Sequence, residues 1–151
     1  KTTLLRLLMG LEVPDSGRIA GLEGRKKSAV FQDQIFGEEL SVYANIRIIR
    51  KRKLFESEKQ EYERIRAELE KVGLSECIDQ KIKELSFGMR QRVALVRAFY
   101  ADWDVLFLDE PFRGLDQSTR EIVMGYTRRE CIGKQVLFVT HEEEEKEAME
   151  R

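Results

Sequence analysis

The chain has 151 residues, 42% hydrophobic and 36% charged, which is material for one compact core and too little for two. Its 27 basic and 28 acidic residues give a formal net charge of -1, which removes the electrostatic case for a general nucleic-acid binder. The longest apolar runs, 105–108 and 136–139, fall far short of the roughly 18–20 residues of a membrane-spanning helix.

The isolated Cys77 and Cys131 fit no CxxC spacing, so a reducing cytosol and inert thiols are expected. In chain order, Lys1, Thr2 and Thr3 run into Leu4, Leu5, Leu7, Leu8 and Leu11, an apolar stripe on a helix that Gly10 and Pro14 close. With no initiator Met and a first residue already inside a motif, the chain is expected to be a piece of something longer. A turn at 14–17 precedes a short strand over 28–32 that ends in Gln32. From about 41 to 73 the composition shifts to charged helix. There Ser57 and Gln60 form a capping box, Tyr62, Ile65, Leu69 and Val72 the buried stripe, and Gly73 the C-cap. The basic run 50–53 reads as a solvated helical end. A further helix spans 89–100, and Trp103 reads as a packing or surface aromatic before a fully buried parallel strand at 104–109. Ser118 is expected to cap the next helix, 134–140 to form another buried strand, and the acidic stretch from Glu142 to start a solvated helix. Strands alternating with helices imply an α/β fold with a parallel sheet.

Chemistry concentrates at the ends of these elements. Asp109 and Glu110 stand at the mouth of the buried strand, where ligands of open α/β sheets bind. Side chains alternate along a strand, so the two should diverge, one holding Mg²⁺ and the other addressing a water. The plainer alternative is an acidic pair ending a strand in solvent. Lys1, Thr2 and Thr3 before a leucine-striped helix look like the end of a phosphate-binding loop, GxxxxGK[ST], with Lys1 reaching the phosphates and Thr2 the Mg²⁺. Their alternative is a set of helix caps.

The most diagnostic stretch is Leu85, Ser86, Phe87, Gly88, Met89, Arg90, Gln91 and Arg92. Its order resembles the LSGGQ signature of ATP-binding-cassette ATPases, with Phe87 in place of the first signature glycine and Met89 in place of the glutamine. The Met-Arg-Gln-Arg ending is similar to the importer branch serving nitrate, sulfonate and taurine uptake. A ring at Phe87 would crowd the backbone approach to phosphate unless the local backbone suits a residue other than glycine. Gln32 resembles the family's Q-loop glutamine, residues 111–116 ending in Asp116 its D-loop, and His141, the only histidine, its switch histidine. Taken singly, these are a polar strand end, an ordinary turn and a structural histidine; their order along the chain carries the resemblance.

The resemblance implies a P-loop NTPase core with an inserted α-helical subdomain at about 36–100, and ATP and Mg²⁺ as cofactors. It implies Glu110, His141 and Gln32 as catalytic residues. Lys1, Thr2, Thr3, Ser86, Gly88 and Asp116 would bind nucleotide, and Thr2, Gln32 and Asp109 the metal. Ser86 and Gly88 would act on ATP held by a second copy, so a homodimer or paired cassette is implied. So are a membrane permease gripped by the helical insert and the Gln32 loop, a solute-binding protein, and a place on the cytoplasmic face of the membrane, with no nucleic acid. The family's adenine-stacking aromatic and loop glycines would precede Lys1, and weak ATP binding by the 151-residue piece follows from that expectation. The alternatives are a nucleotide-gated dimerisation module with little turnover and a soluble, non-transport ATPase of the same family.

Overall fold

Strand β2, Val105–Asp109, is buried along its whole length and organises the rest of the chain. The computed structural model describes residues 2–49 and 56–150; Lys1 and the basic run 50–53 lie outside the described residues. β2 pairs in parallel with β1 (Lys27–Val30) on one side and β3 (Gln135–Val139) on the other, with Val30 opposite Leu108 and Asp109 opposite Val139. A strand flanked on both edges and covered on both faces has no residue left for water, which is why it reads as a continuous apolar run.

Alternation along β2 assigns its faces. Leu106 and Leu108 enter a large core with Leu95 of α4 (Phe87–Tyr100) and Val123 and Tyr126 of α5 (Gln117–Cys131). Val105 and Phe107 point the other way, into a small core with Leu5 of α1 (Thr2–Met9). Asp109 shares the parity of Val105 and Phe107, so the strand ends with a carboxylate on the α1 side. Only part of the expected leucine stripe is used: Leu5 is buried, whereas Leu4 and Leu11 are exposed.

Between β1 and α4 the described residues contain two α-helices. α2 (Val42–Arg47) is capped by Ser41, and α3 (Glu58–Glu70) begins with the Ser57–Gln60 capping box, both reciprocal bonds present. Ile65, Leu69 and Val72 are buried, while Tyr62 is half-buried and donates its hydroxyl to Asp79 at 2.7 Å. Gly73, at φ 70°, adopts the left-handed turn that lets its own N–H and that of Leu74 return to Glu70 and Leu69 and close the helix. The large core runs from Ile65 and Leu69 through Leu95 to Leu106 without a break.

Four local expectations are corrected. The first strand stops at Val30, so Gln32 stands two residues past its end. α5 is capped by Asp116 rather than Ser118. β3 alternates between exposed and half-buried, because among the described residues it pairs on one edge only and leaves Leu137 39% exposed. α6 (Glu143–Glu150) has a solvated start but buries Glu145. Trp103 is buried, tilted against Phe99, with the Lys134 ammonium 4.2 Å from its ring centroid, a packing role. Burial pushes the Cys131 thiol up to about 11, which leaves it inert at neutral pH.

Candidate active site

The carboxyl ends of the three parallel strands open on one rim, and the acids and the histidine gather there. Asp109 is almost fully buried, so its carboxylate needs a partner. Thr2, in the first turn of α1 and 107 positions away, donates its hydroxyl to Asp109 Oδ2 at 2.6 Å. Two oxygen donors in contact suit a hard divalent cation such as Mg²⁺. Among the described residues no group of three or more His, Cys, Asp or Glu side chains could hold a metal. An ion here would therefore draw most of its ligands from water and phosphate, as Mg²⁺ commonly does.

Glu110 leaves the strand by a different route. It is the one described residue other than glycine with a left-handed φ, 48°, a strain of about 1–3 kcal/mol that surrounding structure must hold. The Glu110 N–H donates to Val139 O at 2.8 Å, and its carbonyl accepts from Arg113 N at 3.2 Å. The kink turns the side chain away from Asp109 and toward β3, where Oε1 lies 3.1 Å from His141 Nε2. The two adjacent acids thus diverge, one toward Thr2 and one toward His141.

His141 stands two residues past the end of β3 and is supported from behind. Thr140 Oγ1 accepts from the Glu142 N–H at 3.1 Å and donates to Glu145 Oε2. Burial pushes the Glu145 carboxyl upward, against the Thr140 hydrogen bond that lowers it. Gln32 and Thr2 line one cavity of about 160 Å³, with Phe31, Asp33 and Ile35. Thr2, Gln32, Asp109, Glu110 and His141 therefore share one rim. Thr3 is exposed beside Thr2, and Lys1 lies outside the described residues. A larger cleft, about 730 Å³, runs along β1 past Lys26 and Arg97, and no carboxylate pair converges on it.

Ser86, Gly88 and Asp116 form a second cluster. Ser86 is exposed and caps α4, accepting from the Met89 N–H at 3.3 Å. At Gly88 a Cβ would come 3.2 Å from Gly114 O and 3.4 Å from Leu115 Cδ2, so the two segments touch through backbone. Phe87 opens the helix without a left-handed φ, so this position does not need glycine. Its ring, 55% exposed, lies instead across Gly114, where a Cβ would meet Cδ1 and Cε1 at 2.6 Å and where φ is 76°. Asp116 gives its carboxylate to α5, accepting from Ser118 Oγ at 2.7 Å, Thr119 N at 3.0 Å and Thr119 Oγ1 at 2.8 Å. The Ser118 bond first, and the Thr119 bonds after it, hold this carboxyl well below the usual range.

Gln91 stands in the signature stretch, but its place in the site was not legible there. It lies at the helical spacing of Leu95 and Ala98, on the buried face of α4, and a lone amide on an apolar stripe was the available signal.

Comparison with known proteins gives the chain's relatives. A family model described as ABC transporter matches residues 1–113. The sulfate/thiosulfate import ATP-binding protein CysA of Rhodopseudomonas palustris is 36% identical over 159 residues, covering 96% of this chain and 46% of its own length. The taurine import ATP-binding protein TauB of Pseudomonas aeruginosa is 37% identical over 155 residues, covering 96% of this chain and 58% of its own. The chain thus spans about half the length of the curated relatives it matches. Among solved structures, a metal-chelate type ABC transporter in an inward-facing conformation superposes with a TM-score of 0.73 over 98% of this chain and 61% of its own, at 24% identity. The RNase-L inhibitor superposes with a TM-score of 0.79 at 30% identity, over 99% of this chain and 28% of its own.

Proposed function

This chain belongs to the ABC transporter family, and from that premise we propose that it is the nucleotide-hydrolysing part of an import ATPase. The observation that carries the reading is the divergence of Asp109 and Glu110 at one strand mouth, the first bonded to Thr2 and the second paired with His141. Phosphoryl transfer asks mainly for positioning and charge stabilisation, and this rim has groups for both.

Thr2 and Asp109 would hold Mg²⁺, with Gln32 on the same cavity, and the ion would supply neutralisation of phosphate charge. Thr3, in the first turn of α1, and Lys1, which precedes that helix in the sequence, would add a hydroxyl and an ammonium to the phosphate contacts. Glu110 accepts the proton of the attacking water; its kinked backbone sets the carboxylate apart from the metal side of the rim, where a base is useful. His141 orients that carboxylate and reaches the terminal phosphate. Ser86 and Gly88 serve the nucleotide of a second copy, and Asp116 anchors the intervening segment through its cap on α5. ATP-driven pairing of two copies is then the working stroke, transmitted by the Gln32 loop and the helical subdomain at 36–100 to a membrane permease. The chain works at the cytoplasmic face of the membrane beside that permease. No helix among the described residues is long and apolar enough to cross it.

Import is favoured over a soluble role because relatives 36% and 37% identical to this chain are named as import ATP-binding proteins. Relatives named for sulfate/thiosulfate and for spermidine/putrescine are equally identical to this chain, at 36%. The choice between an anionic and a cationic solute therefore lies with the permease and a solute-binding protein. Glu110→Gln in the full-length protein tests the reading: turnover of Mg-ATP is expected to fall by about 10²–10⁴-fold with nucleotide binding retained. Turnover at the parental rate would remove Glu110 from the role of base.

A further inference from the structure

Gln91 is an amide in a place built for an apolar side chain, 2% exposed and one turn before the fully buried Leu95. Both ends of the amide are engaged, and the partners come from separate segments. Nε2 donates to the carbonyl of Pro111 at 2.7 Å, the residue after Glu110. Oε1 accepts from Gln34 Nε2, two residues beyond Gln32 in the loop that leaves β1. One buried side chain therefore spans from the Gln32 loop, through the helix that Ser86 caps, to the turn that holds Glu110 at φ 48°.

The energetics of such a bridge are asymmetric. A buried amide with both ends satisfied is nearly neutral, but withdrawing one partner strands a polar group where water scarcely reaches. Gln34 sits on a half-buried loop and can be withdrawn by substitution without opening the core. When Gln34 leaves, Gln91 Oε1 must seek another donor, and the same amide holds Pro111. Chains of hydrogen bonds of this kind act as units rather than as separate pairs.

We propose that Gln91 is a positioning residue that ties the catalytic turn at Glu110 and Pro111 to the loop carrying Gln32 and Gln34, so that displacement of the loop shifts the base. This rests on the role given above to Glu110. Its consequence is that nucleotide turnover is sensitive to a loop residue, Gln34, that touches neither Glu110 nor its turn except through Gln91.

The test is steady-state ATP turnover in the full-length protein for Gln34→Ala, Gln91→Leu and the double variant. Each single change is expected to lower kcat about tenfold with KM for ATP within about twofold, because chemistry is misplaced while binding is kept. The double variant is expected to fall no further than the worse single one. Parental kcat in Gln34→Ala overturns the proposal, and so does a double variant in which the two losses multiply. Gln34→Ala lies on the surface loop, so its result is decisive even where Gln91→Leu fails to fold. Glu110→Gln run alongside separates the two readings. If it keeps parental turnover, the base assignment falls, and the same double-variant cycle read in unfolding midpoints still shows whether Gln34 and Gln91 are coupled.

Discussion

Glu110 is held at φ 48° while the residue before it completes a regular strand pairing with Val139. A non-glycine side chain persists in that region only where neighbours over-determine it, and here the Val139 carbonyl and the Arg113 amide do so. Such strain is consistent with a carboxylate aimed for use. Glu145 shows a second residue kept against its own preference. Its carboxyl is 4% exposed and its pKa is raised by burial, so the sign of its contribution follows from linkage. A carboxyl whose folded value lies above the ordinary one gives stability that is complete below that ordinary value and is lost as pH rises through the folded value. Glu145→Gln keeps the volume and an acceptor for Thr140 but removes the titration. The variant is therefore expected to gain on the parent in urea midpoint as pH rises above the ordinary carboxyl range. A gap that stays constant over that rise would show the carboxyl to be unshifted, and one that narrows would show it held below its ordinary value. At this scale the acids of the strand mouth were legible, because Asp109 and Glu110 end an unbroken apolar run. Glu145 was not, since nothing local distinguishes the fourth glutamate of a run from its solvated neighbours. Only the turn of α6 brings it back under Thr140.

At the level of elements, caps explain most of what the sequence foretold and some of what it did not. The Ser57–Gln60 pair is a local pattern with a local cause, since both bonds form within one turn, and the structure has both. Ser57→Ala is expected to lower the stability of the chain by about 1 kcal/mol, measured as a shift in the denaturation midpoint without change in slope. A loss of helical signal at zero denaturant would instead mean that α3 depends on its cap to exist. At α5 the same logic pointed to Ser118, and Asp116 takes the cap instead because a carboxylate at that position collects Ser118 and Thr119 together. The edge character of β3 was not legible, because an apolar strand reads alike whether it pairs on one side or two.

The whole molecule raises the question of how far the helical stretch between β1 and α4 is a unit of its own. Ile65 and Leu69 of α3 lie in the same continuous core as Leu106 and Leu108 of β2. Two polar ties reinforce the joint, with the Tyr126 hydroxyl of α5 donating to Glu68 of α3 at 3.2 Å and Lys71, at the C-cap of α3, reaching Glu130 of α5 at 3.7 Å. A subdomain joined by a shared core is expected to unfold with its host, since packing at the joint is lost when either side melts. Trp103, the only tryptophan, lies in the same core just before β2, against Phe99 of α4 and Lys134, and so reports from the sheet end of that core. Ile65→Ala deletes a fully buried side chain of α3 and is expected to cost about 2–5 kcal/mol, a large part of the roughly 5–15 kcal/mol that holds a domain together. If the core is one, the variant moves the Trp103 fluorescence transition and the far-ultraviolet helical transition to the same lower denaturant midpoint. Were α3 a separate unit, the helical signal would shift and Trp103 would report the parental midpoint, and the stroke assigned to 36–100 would be a hinge between two folded bodies rather than a strain carried through one.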